Sequence, residues 1–189
     1  MTVSVPTTDN HFQMLITSHI PNVSLERATA MFRGSFRELR HGRLRVVIDF
    51  HLPYYLFHVR MSYGRKWIDS YYGIDAVTGI LDLYRFDNPM TAENCREVET
   101  SYSLGPQIDP QAAFINLEEK MIRLAFMRGA FKLRGCKVSG ELVESFHMPY
   151  WVGVFERSER AHLEVIDAVR GRFEGTKVRE IIVSWFASK

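Results

Sequence analysis

Apolar residues recur along the chain in two patterns, one helical and one extended. After Ser24, apolar positions follow a three-and-four spacing that predicts one helix, capped by Ser24 and stopped by Gly42. The positions on its core face are Ala28, Met31, Phe32, Phe36 and Leu39. Residues 44–60 are rich in β-branched and aromatic side chains and predict an extended segment. Pro53 has no amide hydrogen, so we expect a break or bulge that divides this segment into two shorter strands.

The same patterns predict the remainder of the first half. Residues 67–75 and 80–86 are expected to be strands joined by a turn. In that turn Asp75 can accept hydrogen bonds from the backbone ahead, and Gly79 can adopt the left-handed conformation. Residues 91–100 weakly predict a short helix, and residues 101–106 predict a loop.

The second half begins with a stronger helix signal. Asp109 is an expected cap before Pro110, and the helix should run to about Arg134. Its core stripe comprises Phe114, Leu117, Met121, Leu124 and Phe131. Residues 138–154 predict an extended segment interrupted at Pro149, and residues 163–166 predict a strand that leads into a turn at 167–171. Residues 178–186 predict a final strand that closes the sheet.

Several blocks occur twice in the same order. Residues 51–55 return as 147–151, residues 74–79 return as 166–171, and residues 33–36 return as 128–131. Repeats of this kind indicate a duplicated supersecondary unit. We therefore predict an α+β fold with two pseudo-symmetric repeats, each a helix packed on antiparallel strands. The predicted divisions are a loose tail over residues 1–10, repeat 1 over 11–104 and repeat 2 over 105–189.

Composition limits the class of protein. The chain has 189 residues with a formal net charge of +2, which is too small to indicate nucleic-acid binding by bulk charge. Cys95 and Cys136 form neither a disulfide framework nor a metal-binding motif. We find no secretory signal and no apolar run long enough to cross a membrane, so we expect a cytoplasmic protein without a membrane partner. Nothing in the composition decides between a monomer and a homo-oligomer.

The duplicated histidines and aromatic residues are the first candidates for a site. His51 and His147 can bind a metal or an acid, or they can hydrogen-bond the backbone at the proline break. Four aromatic residues follow them and can line a cleft for an extended peptide, or they can pack in the core. These are Tyr54, Tyr55, Tyr150 and Trp151.

Charged residues give two further candidates. Asp75 and Asp167 occupy matching places, either as an acid–base pair or as turn-forming residues. Four arginines are candidate anion-binding residues, although cations near a helix C-terminus also complement its dipole. These are Arg33, Arg37, Arg40 and Arg128.

Two segments of the first half resemble the PepSY family. Residues 54–60 form an alternating apolar run, and after a glycine-containing turn residues 74–81 read Ile-Asp-Ala-Val-Thr-Gly-Ile-Leu. Residues 151–155 and 166–171 are similar to the same pattern. The resemblance covers about 50 residues in each copy and implies a cystatin-like helix against an antiparallel sheet.

The leading functional prediction is a non-catalytic module that binds a protein or peptide along the aromatic strands or a sheet edge. No catalytic motif occurs, and we expect no metal and no cofactor. The first alternative is a small-ligand protein or enzyme with a polar cavity between helix and sheet that gathers His51 or Asp75. The second is a nucleic-acid-binding protein that uses the basic helix ends and would show steep salt dependence.

Overall fold

The computed structural model describes residues 13–63, 66–127, 137–158 and 160–188 and has a mixed α+β fold. The predicted tail over residues 1–10 and the candidate Arg128 lie outside these ranges. Eight strands and four helices follow one another in the described residues: β1 (Met14–His19), α1 (Leu25–Phe32), α2 (Ser35–His41), β2 (Arg43–Tyr63), β3 (Lys66–Asp75), β4 (Tyr84–Phe86), β5 (Cys95–Thr100), α3 (Pro110–Met127), β6 (Lys137–Arg157), β7 (Arg160–Asp167), β8 (Arg172–Phe173) and α4 (Thr176–Ala187).

The strands belong to one sheet with the order β4-β3-β2-β6-β1-β5, and β7 pairs with both β6 and β8. The hairpins β2–β3 and β6–β7 are antiparallel. β1 is antiparallel to β5 and parallel to β6, where Ser18 is opposite His147. Among the described helices, none combines the length and hydrophobicity that a membrane crossing requires.

The chain forms two compact units, and the long strands β2 and β6 contribute residues to both. The first unit contains the described residues of 13–52, 94–104 and 147–188. In its core, α1 packs on β6 and β7, with Phe32 in edge contact with Phe155. Gly153 makes this approach possible, because a Cβ atom there would lie only 2.8 Å from the Phe32 ring.

The second unit contains the described residues of 53–93 and 105–146. Here α3 packs on β2 and β3, and Leu117 and Met121 lie against Tyr55 and Phe57 in the buried cluster. Burying each large apolar side chain of this kind contributes about 1.5–3 kcal/mol. In each unit, therefore, the core helix and the strands beneath it come from opposite halves of the chain.

The predicted helix caps are confirmed, but the first helix is not continuous. The Ser24 side chain accepts a hydrogen bond from the Arg27 amide, and Asp109 accepts one from Ala112. Gly34 has a ψ of 128°, outside the helical range, and it separates α1 from α2. The break also turns Leu39 away from the predicted core face, since 76% of its surface is exposed.

The predicted core stripe of α3 is only partly correct. Leu117 and Met121 are buried, whereas Leu124 is 40% exposed and Phe114 is half-buried. Phe131 and the predicted helix end near Arg134 lie outside the described residues. The buried positions are spaced by four residues, so the helix rests on the sheet along a narrow strip.

The predicted division at Pro53 is wrong, because β2 runs without interruption over 21 residues. The missing amide costs little at this position. The Pro53 carbonyl still accepts a hydrogen bond from Ala76, at 2.8 Å, and regular pairing with β3 begins at the next residue. The predicted strand over residues 80–86 is also shorter than expected, and only Tyr84–Phe86 is extended.

Two predicted elements have the wrong type. Residues 95–100 form β5 and not a helix, because pairing with β1 outweighs their weak helical propensity. Residues 176–187 form α4 and not a strand. The buried positions of α4 are Val178, Ile182, Trp185 and Phe186, a four-three-one spacing that favours a helix over the β propensity of its branched residues.

A glycine-to-alanine exchange at Gly42 tests the junction between α2 and β2. Gly42 has a φ of +94°, and a Cβ atom there would collide with the Glu156 carbonyl oxygen. We expect Gly42→Ala to lower the free energy of unfolding by at least about 2 kcal/mol, measured by chemical denaturation. Gly105→Ala is the matched control, since a Cβ atom there meets no atom within 4 Å. Equal stability of the two variants would contradict this account of the junction.

Candidate functional site

The four duplicated aromatic residues are buried. Tyr54 and Tyr150 are each 1% exposed, Tyr55 is 6% exposed and Trp151 is 8% exposed. The Tyr55 hydroxyl donates to the Ile108 carbonyl at 2.9 Å, and the Trp151 indole N–H donates to the Val23 carbonyl at 2.8 Å. Their polar atoms therefore serve the packing of loops and helices on the strands, and their part in binding stays a prediction.

His51 lies in the first unit between a serine and an aspartate. Its Nδ1 is 2.9 Å from the Ser18 hydroxyl, and its Nε2 is 3.2 Å from Asp49 without hydrogen-bond geometry. A serine, a histidine and an aspartate in contact resemble a nucleophilic triad. Ser18 is only 1% exposed, however, and its hydroxyl also lies 3.3 Å from the carbonyl oxygens of His19 and His147. Ser18 therefore lies out of reach of a substrate, and the part of His51 in binding stays a prediction.

His147 occupies the matching place on β6. Its Nε2 lies 3.3 Å from the Leu104 carbonyl oxygen, while its buried Nδ1 has no hydrogen-bond partner among the residues that the structure describes. Burial lowers the pKa of His147 below its usual value, partly offset by backbone hydrogen bonds. A neutral ring is favoured there because an imidazolium would be desolvated. His147 therefore contacts the backbone, at Leu104, as one of the two sequence interpretations proposed, whereas the ring of His51 contacts the side chains of Ser18 and Asp49.

Asp75 and Asp167 are fully buried, each at the start of a turn. Asp75 accepts hydrogen bonds from the amides of Thr78, Gly79 and Leu81 at 2.7–3.0 Å. Asp167 accepts from Val169 and Arg170 at 2.9 and 2.7 Å. The carboxylates thus do the work expected of turn-forming residues, one in each unit, and no acid–base pair is needed to explain them.

The candidate arginines have different environments. Arg33 and Arg40 are exposed on the surface of the first unit. Arg37 contacts Glu164 at 3.3 Å, and its guanidinium lies 3.3 Å above the centre of the Phe173 ring. A guanidinium engaged on both sides is less available to an external anion than an exposed one.

A cluster that the sequence analysis missed lies in the first unit. His41 Nε2 and His162 Nε2 lie 3.4 and 2.9 Å from the same oxygen of Glu164. Their rings are stacked in parallel with centroids 3.9 Å apart. Residues 162 and 164 are two apart on β7 and share one face, a signal that the sequence contained. No spacing rule could add His41, which is 121 residues away from His162.

A second missed cluster lies in the second unit, on the neighbouring strands β2 and β3. His58 hydrogen-bonds Asp69 through Nε2 and lies 3.4 Å from Glu141 through Nδ1. The ring stacks on Tyr71 with centroids 4.9 Å apart. A recess of about 230 Å³ is lined by His58, Arg60, Ser139, Gly140 and Glu141. It gathers neither His51 nor Asp75, the residues expected to line a polar cavity.

The two carboxylates shift the protonation of His58. The hydrogen bond that His58 donates to Asp69 raises the pKa of His58, and the contact with Glu141 adds to it, while partial desolvation opposes both. The same hydrogen bond lowers the pKa of Asp69. His58 therefore favours the charged form more than a free histidine does, with both of its ring nitrogens facing carboxylates.

No protein-family model, no curated protein and no solved structure matches this chain. The PepSY resemblance therefore stays a prediction.

The His58–Asp69 contact predicts a measurable change in titration. We expect the His58 pKa, followed by NMR, to lie above that of an exposed histidine and to fall in Asp69→Asn. Because the folded-state pKa is raised, the associated stabilisation is present below the unfolded-state pKa and is lost as the pH rises through the folded-state pKa. A short unstructured peptide that contains one histidine serves as the reference in the same buffer. An unchanged His58 pKa in Asp69→Asn would contradict the assigned contact.

Proposed function

We propose that the protein is a non-catalytic binding module that takes an extended segment of a partner protein along the edge of β5. The observation that carries this proposal is the place of β5, which is last in the described strand order and has β1 as its neighbour on one side. An extended peptide can add to such an edge through backbone hydrogen bonds, with side chains on alternate positions setting specificity.

The surface beside this edge combines apolar and acidic groups. Leu15 on β1 is 68% exposed and pairs with Glu99 on β5. Thr17 pairs with Glu97, which lies on the same face two residues before Glu99. Glu97 and Glu99 lie on one face of β5 and Val98 between them lies on the other, which fits a partner segment that alternates basic and apolar residues.

Charge also restricts which strand can add here. Charged side chains on an edge strand hinder pairing of identical strands. Glu97 and Glu99 would repel the same residues of a second copy and attract lysine or arginine. The proposal therefore favours a basic partner segment over self-association through this edge.

The buried aromatic residues have an indirect role in this proposal. Tyr54, Tyr55, Tyr150 and Trp151 hold the strands in place, and the contact residues are those of β1 and β5. His51 and Ser18 support the same region, since Ser18 lies on β1 and pairs with His147 on β6. The duplicated blocks then stabilise the sheet that contains the contact strands β1 and β5.

A second candidate function rests on the His58 recess. A histidine between two carboxylates, with Arg60 beside it, presents donors and acceptors to a small polar ligand. This would be the small-ligand alternative, at a place different from the expected helix–sheet cavity. Because Asp69 and Glu141 balance the charges of His58 and Arg60, the recess would suit a ligand that carries both donors and acceptors.

We also propose that the two halves of the chain descend from one duplicated unit. In support, Tyr54 pairs with Asp75 in the second unit as Tyr150 pairs with Asp167 in the first. The Pro53 carbonyl accepts from Ala76, and the Pro149 carbonyl accepts from Ala168. Each core helix lies on strands from the other half, so the proposed repeats would have exchanged their helices. A PepSY-like ancestry is part of the same proposal.

Peptide selection tests the binding function. We expect a displayed library of random peptides to yield binders that alternate basic and apolar residues. Glu99→Lys should weaken these peptides by at least about tenfold, since it replaces an attraction with a repulsion and changes the exposed edge alone. Binding is measured by calorimetry with synthetic peptides.

Glu119→Lys on the exposed side of α3 is the matched control, because it makes the same charge change away from the edge. Selected peptides that bind Glu99→Lys and the wild type with equal affinity would refute the β5 edge as the site. Loss of binding in both charge variants alike would instead show a dependence on net charge alone and would also refute it.

A further inference from the structure

Three metal-ligating side chains converge in the first unit at the junction of α2 and β7. His162 and Glu164 project from one face of β7, and His41 is the last residue of α2. One nitrogen from each histidine and one oxygen of the glutamate lie within 4.8 Å of one another. The helix break at Gly34 and the turn at Gly42 bring His41 to this position.

The separations suit one bound ion. Two ligands about 2.0–2.1 Å from a tetrahedral zinc ion lie roughly 3.3 Å apart. Here the two imidazole nitrogens lie 3.4 and 2.9 Å from the Glu164 oxygen. The rings are parallel, so their lone pairs run side by side, and one ring must rotate about its Cβ–Cγ bond to converge on an ion.

Burial favours the protonation state that a metal requires. The side chains of His41 and Glu164 are 11% and 9% exposed, whereas that of His162 is 38% exposed and leaves an approach from solvent. Burial, and then the neighbouring His162, lowers the pKa of His41, which favours its neutral form. Neutral imidazole is the form that binds a metal ion.

Two arginines also contact the glutamate. Arg37 lies 3.3 Å from Oε2, and Arg179 lies 3.4 Å from Oε1. Arg37 can remain on Oε2 while Oε1 binds an ion, as an outer partner that orients the carboxylate. Arg179 competes for Oε1 and must withdraw, which at 30% side-chain exposure it can do towards solvent.

We propose that His41, His162 and Glu164 form a binding site for a divalent transition metal of the zinc class. Two imidazoles and one carboxylate suit zinc and its neighbours better than magnesium or calcium, which prefer oxygen ligands. Three protein ligands leave a fourth position for water or for a donor group from another molecule. The site is distinct from the β5 edge and does not depend on the binding function proposed there.

Zinc titration of the untagged protein tests this site. We expect calorimetry to show one zinc ion per chain and weaker binding at low pH, where protons compete for both histidines. His162→Asn and Glu164→Gln should each weaken zinc binding by at least about 100-fold, since loss of an outer partner alone costs 10–100-fold. Glu119→Gln removes an exposed carboxylate on α3 and should bind zinc as the wild type does.

Arg179→Ala separates a metal site from a purely structural ion-pair cluster. It removes the cation that competes for Oε1, so we expect zinc affinity to be equal or higher in this variant. Weaker zinc binding in Arg179→Ala would overturn the proposed ligand arrangement.

Cobalt binding can be measured on the wild-type protein, so the result does not depend on whether a variant folds. Cobalt added to the wild-type protein should give visible absorption bands typical of a four-coordinate ion with nitrogen and oxygen ligands. Absence of these bands would overturn the site. Wild-type zinc affinity in His162→Asn would show adventitious surface binding and would overturn it as well.

Discussion

Two buried carboxylates, Asp75 and Asp167, hold the turns on which the strand arrangement depends. Burying a carboxylate costs several kcal/mol unless hydrogen bonds replace its hydration. Asp75 recovers this cost with three amides and the Thr78 hydroxyl, all within 3.0 Å. In the other unit Asp167 accepts from two amides, and the Arg170 side chain lies 3.8 Å from its second oxygen. Each turn therefore supplies the donors that its buried carboxylate needs.

The position of each aspartate fixes which side chains of the adjacent strand face the core. Asp75 pairs with Tyr54, and Asp167 pairs with Tyr150, so register places both tyrosines inside. A one-residue shift would move every side chain of the hairpin to the opposite face. The same register leaves His58 and His162 on more accessible faces of their strands. The buried aspartates and aromatic residues thus fix the register of the hairpins, and that register leaves His58 and His162 accessible.

Local patterns predicted the parts of the fold that local interactions decide. Ser24 and Asp109 cap helices and Asp75 closes a turn, because each bonds to backbone within a few residues. Residues 95–100 and 176–187 were assigned wrongly for opposite reasons. The first segment becomes a strand only through β1, 76 or more residues earlier in the chain, and the second carried a helical spacing that β propensity concealed.

The candidate sites were harder to predict than the fold. Repetition in the sequence drew attention to His51, Tyr54 and Trp151. A repeated block can, however, consist of core residues as well as surface residues, and these three are buried. The clusters around Glu164 and His58 each combine residues from separate elements, and His41 reaches Glu164 only because the chain bends at Gly34 and Gly42. Local sequence patterns do not indicate which distant elements pack together, so these clusters could not be predicted from the sequence.

A buried carboxylate, and not merely a polar side chain, is needed where these turns begin, at Asp75 and Asp167. The most direct measurement is the free energy of unfolding of Asp75→Asn, with the exposed Asp87→Asn as control. Asparagine keeps the shape but turns an N–H group towards the Leu81 amide, which then has no acceptor. We predict a loss of about 2–4 kcal/mol for Asp75→Asn and almost none for the control. Equal stabilities for Asp75→Asn and the wild type would contradict the account.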